Sequence, residues 1–175
     1  MRYFISTFFA AMVFIGSVSA WANTSSKESY MLMELKSGTV KIALRDDLAP
    51  NHVERIKQLV SEKFYDGIIF HRVIDGFMAQ TGDPTGTGMG GSDYPDLRAE
   101  FSNEAFKRGT LGMARSQHPD SANSQFFICF EDSSWLNGQY TVFGEVVDGM
   151  EHIDAITRGE PPAEPDQIIS LTLAD

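Results

Sequence analysis

One arginine in this chain lies in surroundings that could do chemistry. Arg72 belongs to the stretch FHRVIDGFMAQ, residues 70–80, which begins as an apolar, β-branched strand and turns at Asp75-Gly76. An aromatic ring, a thioether and a neutral amide follow the turn, without a nucleophile or a pair of carboxylates. Such side chains predict a pocket that holds an apolar ligand beside one strong hydrogen-bond donor. A plain strand with one surface charge would show the same pattern, so this stretch alone does not distinguish a ligand pocket from an ordinary strand.

Two more stretches distinguish the first from an ordinary strand. SQFFI begins at Ser124, and WLNG begins at Trp135 and is followed by VFG at Val142. Together with FHRVI-x-GFM-x-Q and the GD at Gly82, this spacing resembles the cyclophilins, a family of peptidyl-prolyl cis/trans isomerases. The resemblance runs from about Met31 to the C-terminus. It implies a mainly β fold, a closed eight-stranded antiparallel barrel capped by two α-helices.

The implied reaction needs no covalent step. Amide resonance sets a barrier of about 18–20 kcal/mol to rotation about a peptide bond, and catalysis means stabilising the twisted state with a pyramidal proline nitrogen. A donor aimed at the nitrogen lone pair binds this state and hardly binds the planar ground state. Arg72 can donate without titrating, and Gln80 is placed to orient it. The resemblance implies these two as the catalytic residues.

The resemblance also implies the substrate-binding residues. Apolar and aromatic side chains would wall the proline pocket: Phe77, Met78, Phe127, Leu136 and Tyr140. Gln125, together with Gln80, would hold Arg72 and the substrate backbone. Ala114 and Arg115 would line the adjoining groove, and Trp135 would lie at the pocket rim.

Two of these positions depart from the usual cytosolic eukaryotic pattern. Arg115 stands where Asn is usual, and Tyr140 stands where His is usual. Neither is the catalytic donor, so we expect activity, while substrate preference and the affinity for cyclosporin are left open. The expected partners are proline-containing, unfolded or partly folded exported polypeptides, and the expected state is a monomer.

The rest of the chain supplies the elements that must position these residues. Alternating apolar residues predict a hairpin over 31–44, and a helix begins at Pro50, with Asn51 as its N-cap and Glu54 completing a capping box. Apolar periodicity predicts the remaining elements, which are strands over 109–114, 124–130, 140–147 and 168–173 and a short helix over 150–156. No internal repeat interrupts them.

The N-terminal residues have the composition of an export signal. Arg2 precedes an almost wholly apolar run over 4–18, and Ala20-Trp21-Ala22 fits a small-x-small cleavage site. A membrane anchor is the alternative, but the apolar run is short for a span. We therefore predict a signal peptide over 1–22, an extension over 23–30 and an isomerase domain over 31–175. The protein would be exported, to the periplasm in a bacterium, without stable membrane association after cleavage.

Charge and motif content exclude several other classes. A net charge of −10 argues against nucleic acid or anionic lipid as a partner. The G-x-G-x-x-G over 86–91 is followed by a loop and not by a helix, so it predicts no dinucleotide cofactor. The four histidines lack metal-ligand spacing, and we expect neither a metal nor a cofactor. The sequence does not indicate a hydrolase, because it carries no nucleophile motif and Cys129 lies within an apolar strand. A non-catalytic peptide-binding module remains the other alternative.

Overall fold

The structure is a computed structural model that describes residues 29–174. Its elements in chain order are β1 (Ser29–Leu35), β2 (Gly38–Leu44), α1 (Pro50–Ser61), β3 (Arg72–Ile74), β4 (Met78–Thr81), β5 (Thr110–Met113), β6 (Phe126–Cys129), a 3₁₀ turn (Ser134–Leu136), β7 (Val142–Asp148), α2 (Met150–Asp154) and β8 (Ser170–Ala174). The predicted hairpin, later strands and two helices are confirmed, with ends that differ by a few residues. The predicted signal peptide lies outside the described residues.

All eight strands belong to one antiparallel sheet, in the order β3-β4-β6-β5-β7-β2-β1-β8. The mainly β fold with two helices is therefore as expected, but a closed barrel is not shown. Within residues 29–174 no ladder joins the edge strands β3 and β8. Irregular backbone joins the two edges instead: Gly67 donates to Ile168 at 2.7 Å, and Phe70 donates to Asp166 at 2.9 Å. The sheet is thus a curled, open half-barrel.

The two faces of the sheet carry separate apolar clusters. The larger cluster includes the apolar stripe of α1 and the buried residues of β1 and β2, for example Met33, Ile42 and Ile56. The smaller cluster is built around Met78 and Phe127 from β4 and β6. Strand residues alternate between faces, so β4 and β6 contribute to both clusters. The smaller cluster coincides with the residues that the sequence assigns to the pocket.

The N-terminus of α1 is capped from a distant loop, which corrects the predicted capping box. The N-cap residue is Ala49, and it makes no side-chain cap. Glu100 accepts hydrogen bonds from the backbone N–H groups of Asn51 and His52, at 3.2 and 3.1 Å, and from the His52 Nδ1–H at 2.6 Å. Burial lowers the pKa of His52, which supports a neutral ring donating to the carboxylate. None of the helices within residues 29–174 is long and apolar enough to cross a membrane.

Candidate active site

The strand register places the predicted catalytic residues in one row across the sheet. Arg72 in β3 pairs with Gln80 in β4, Gln80 pairs with Phe127 in β6, and Phe127 pairs with Gly112 in β5. Directly opposed residues of antiparallel strands project from the same face. The row therefore brings a guanidinium, an amide and an aromatic ring to the face that carries the smaller apolar cluster. Val73, next to Arg72, lies on the opposite face and is buried in the main core.

The predicted pocket residues pack together in the smaller cluster. Met78, Phe127 and Leu136 are 1%, 5% and 7% exposed, so they form a floor and not free-standing walls. Phe77 and Tyr140 are partly buried against this floor and form its rim. Ala114 also packs at the edge of the cluster, together with further residues that the sequence did not single out, which are Leu48, Ile74, Phe106, Cys129 and Val142.

A glycine makes room for the ring of Phe127. That ring stacks on Phe106 with centroids 5.8 Å apart, and it meets Tyr140 edge to face at 5.8 Å. A Cβ atom at Gly112 would lie 2.4 Å from Cζ of Phe127 and 2.6 Å from Cε1 of Phe106. Neither Gly112 nor Phe106 was identified from the sequence, because their role depends on register and on side-chain contacts across strands.

Trp135 lies beside this cluster without closing it. Its ring centroid is 5.5 Å from that of Phe77, and the side chain is 57% exposed. The 3₁₀ turn holds it there, because the backbone N–H of Leu136 donates to Ser133 at 2.9 Å. An exposed indole at the edge of the apolar cluster matches the predicted rim position and excludes a tryptophan buried in the core.

Two glutamines connect the row to the glycine-rich loop over 85–91. Gln80 donates from Nε2 to Oε1 of Gln125 at 2.9 Å. Gln125 in turn donates from Nε2 to the carbonyl oxygens of Gly88 and Gly90, at 3.1 and 2.8 Å. This contact between Gln80 and Gln125 was not expected from the sequence, which assigned both side chains to Arg72 and the substrate backbone. No hydrogen bond from Gln80 to Arg72 occurs among the described residues, although the two face each other across the strands.

Asp83 holds the other side of the same loop. Its carboxylate is buried and accepts hydrogen bonds from the hydroxyl and backbone N–H of Thr85 and from the backbone N–H of Gly88. Burial raises the pKa of Asp83, but these hydrogen bonds outweigh it and bring the pKa to about 2. A charged aspartate therefore fixes the loop shape at neutral pH.

An open groove of about 430 Å³ runs next to the glutamine pair. Gln80, Ala114, Arg115 and Gln125 line it, together with the glycine-rich loop, and Ala114 and Arg115 are the two residues that the sequence assigned to a groove. The guanidinium of Arg115 lies 4.5 Å from the ring centroid of Tyr140 and donates to Gln139 O at 3.0 Å. The two residues that depart from the usual pattern thus form a stacked pair between groove and apolar cluster.

Arg72 itself has a partner that the sequence did not indicate. Its Nε donates to Oε2 of Glu160 at 2.8 Å, and the two side chains are 44% and 52% exposed. Glu160 lies in the proline-rich connection between α2 and β8, far from Arg72 in sequence. No spacing rule relates the two positions, so only the folded chain reveals the pair.

Cys129 and His71 are both buried. Burial raises the pKa of the Cys129 thiol to about 12, against a hydrogen bond with Ser133, so the thiol stays protonated. Burial lowers the pKa of His71, against the opposing effect of Asp83, and neither ring nitrogen has a hydrogen-bond partner among residues 29–174. Neither side chain is available for covalent or acid–base chemistry. The half-exposed Arg72 is therefore the candidate catalytic group beside the smaller apolar cluster.

Comparisons with solved structures give the same fold. A cyclophilin-type peptidyl-prolyl cis-trans isomerase from Cryptosporidium parvum superposes with a TM-score of 0.79 at 30% identity, covering 85% of this chain and 98% of that one. A second structure of that protein, determined in the presence of the dipeptide Ala-Pro, gives a TM-score of 0.78 at 31% identity, covering 83% and 99%.

Sequence comparisons identify the family. The family description "Cyclophilin type peptidyl-prolyl cis-trans isomerase/CLD" matches residues 30–173. A probable peptidyl-prolyl cis-trans isomerase from Brucella suis is 50% identical over 190 aligned residues, covering 97% of this chain and 96% of the relative. Peptidyl-prolyl cis-trans isomerase A from Dickeya dadantii is 39% identical over 157 residues, covering 85% and 83%. The chain therefore belongs to the cyclophilin-type peptidyl-prolyl cis-trans isomerases.

Proposed function

We propose that this isomerase acts on X-Pro bonds of exported polypeptides and that Arg72 stabilises the twisted amide. The observation that carries the proposal is the row in which Arg72, Gln80 and Phe127 share one face beside an apolar floor. A proline ring is apolar, whereas its nitrogen gains a basic lone pair only when the amide twists. An apolar floor next to a fixed cation matches both properties.

Binding would divide between the apolar cluster and the groove. The proline ring would rest on Met78, Phe127 and Leu136, which are already packed and lose little freedom on binding. The preceding residues of the peptide would follow the groove past Ala114 and Gln125. The relative whose structure was determined in the presence of the dipeptide Ala-Pro supports a proline-containing peptide as the ligand.

Arg72 suits the role because the planar fork of its guanidinium offers several N–H donors. No proton has to leave or return during the rotation, so the reaction needs no acid–base partner. The protonated state of Cys129 and the burial of His71 are in keeping with such a mechanism.

Substitution of Arg72 tests the mechanism. We expect Arg72→Ala to lower kcat/KM by about 2–4 kcal/mol, roughly 30- to 1000-fold, the size of losing one preorganised donor. Arg72→Lys should recover little, since an ammonium cannot reproduce the fork. The denaturation midpoint should hardly change, because the side chain is half exposed. Arg98→Ala removes an exposed arginine outside the site and serves as the control. A wild-type isomerisation rate in Arg72→Ala would refute the mechanism.

Export and inhibitor binding belong to the same proposal. The composition of residues 1–22 supports cleavage between Ala22 and Asn23 and a role in folding exported proteins. Intact-mass analysis of the secreted protein tests this, and a mature chain that begins at Met1 would contradict it. The exposed Trp135 supports cyclosporin as a ligand, and the stacked Arg115–Tyr140 pair will set its affinity. A titration by calorimetry measures that affinity, and the absence of saturable binding would remove the inhibitor from the proposal.

A further inference from the structure

Glu160 contacts the proposed catalytic arginine at one nitrogen only. Its Oε2 accepts from Nε of Arg72 at 2.8 Å, and no other carboxylate within residues 29–174 forms an ion pair with that guanidinium. The Nε–H and the two terminal amino groups of a guanidinium lie in one plane and point in different directions within it. A contact at Nε therefore fixes the orientation of the plane and leaves both terminal groups available to a ligand.

The backbone around Glu160 is anchored to the strand that carries Arg72. Gly159 and Val73 exchange two backbone hydrogen bonds, each of 2.8 Å. Gly159 adopts φ of +149°, and a Cβ atom there would lie 2.5 Å from Cα of Pro162, so the turn requires glycine at this position. These contacts fix the backbone next to Glu160 relative to β3, so the Glu160 carboxylate starts from a defined position beside Arg72.

The neighbouring arginine holds the same segment from the other side. Arg158 donates to the carboxylate of Asp75 at 3.1 Å and to the carbonyl oxygen of Asp154 at 2.7 Å. Its guanidinium also lies 4.1 Å from the ring centroid of Phe130. Residues 158–160 therefore contact both ends of β3: Glu160 bonds to Arg72 at its start, and Arg158 bonds to Asp75 just after its end.

We propose that Glu160 is a positioning residue for isomerisation, which holds the Arg72 guanidinium by its Nε so that the terminal amino groups face the prolyl amide. This inference rests on the proposed function of Arg72. Ion pairs as exposed as this one add little to folding stability, so a structural role does not account for the contact. A catalytic arginine gains more from it, because a long side chain that is already ordered need not be ordered again in the transition state.

The test compares two substitutions of Glu160 with a control. Glu160→Ala removes the acceptor and should lower kcat about three- to tenfold with little change in KM, the factor for ordering one long side chain. Glu160→Gln keeps an acceptor oxygen at the same reach and should recover most of the loss. Glu164→Ala removes an equal charge from the same exposed connection and should behave as wild type. Isomerisation kinetics of a proline peptide give kcat and KM, and denaturation confirms equal folding.

A double substitution separates this inference from the proposed function. In an Arg72→Ala background, Glu160→Ala should have no further effect on kcat, because nothing is left to position. A full effect in that background would overturn the positioning role, as would wild-type kcat in Glu160→Ala or equal losses in the Ala and Gln variants. A wild-type rate in Arg72→Ala alone would instead overturn the proposed function. The two failures are therefore distinguishable.

Discussion

Gly112 offers a way to disturb the site without changing any residue that would touch substrate. An added methyl group would lie 2.4 Å from Cζ of Phe127 and 2.6 Å from Cε1 of Phe106, where ordinary contact begins at 3.4 Å. The Phe127 ring would have to move by about 1.0 Å, which is 3.4 minus 2.4. The stack on Phe106 blocks movement toward that side, so the ring should shift into the space above the floor.

Overpacking of this size costs about 1–3 kcal/mol of stability, and a displacement of about 1 Å in a positioned group can cost up to ~100-fold in rate. We therefore expect Gly112→Ala to lower the free energy of unfolding moderately and kcat/KM more strongly. Urea denaturation and a proline-peptide assay on one preparation measure both. Adding Phe127→Leu, which shortens the clashing side chain, should restore part of the stability.

Gly144→Ala is the matched control. This residue also lies in a strand, but its added methyl group would meet Ala43 O at 3.1 Å and Ile42 at 3.3 Å, toward the main core. It should cost some stability and leave kcat/KM per folded molecule unchanged. If Gly112→Ala shows wild-type kcat/KM, or if Gly144→Ala loses as much activity, the reasoning from the Phe127 ring is wrong.

Three further outcomes follow from groups around the site. The folded pKa of Asp83, about 2, lies below the unfolded value of about 3.9, so the unfolded chain binds the proton first and stability is lost as pH falls from about 5 to 2. About 1 kcal/mol of that loss falls between pH 7 and pH 3, and Asp83→Asn should abolish this part in urea melts at the two pH values; an equal loss in both proteins would contradict it. Cys129 should react with a thiol reagent only after denaturation, because it is fully buried, and rapid labelling of native protein would be inconsistent with this packing. A chain of residues 23–175 has Trp135 as its single indole, and a proline peptide should change its emission saturably; flat emission during binding that calorimetry detects would remove Trp135 from the site.

Local sequence patterns predicted the parts of the fold that local physics determines. Alternation of apolar residues located β1 and β2, and the Asp75-Gly76 turn located the boundary between β3 and β4. The α1 cap was misassigned because its true partner, Glu100, comes from a loop that sequence spacing does not relate to the helix. The expected closed barrel was also not found, because irregular backbone and not a strand ladder joins the two edges of the sheet.

Some residues of the candidate site could likewise be identified from the sequence, and others only from the structure. Motif resemblance supplied Arg72, Gln80 and Phe127 of the row and several residues of the apolar cluster and the groove, because each of these lies inside a contiguous stretch of recognisable sequence. It did not supply Glu160, Gly112 or Phe106, whose importance arises from contacts between separate stretches. The expected contact between Gln80 and Arg72 is absent among the described residues, and Gln80 donates to Gln125 instead.

The anchoring of β3 bears on whether an extended peptide chain can add to the edge of the sheet. An edge strand with free backbone groups is a template on which an extended chain can add as a further strand. In β3 the backbone groups of Arg72 and Ile74 face β4, and only those of Val73 face outward. Both outward groups of Val73 are already bonded to Gly159. An extended chain therefore finds no vacant hydrogen bonds along β3, and under the proposed mechanism a proline peptide would reach Arg72 across the face of the sheet and not as an added strand.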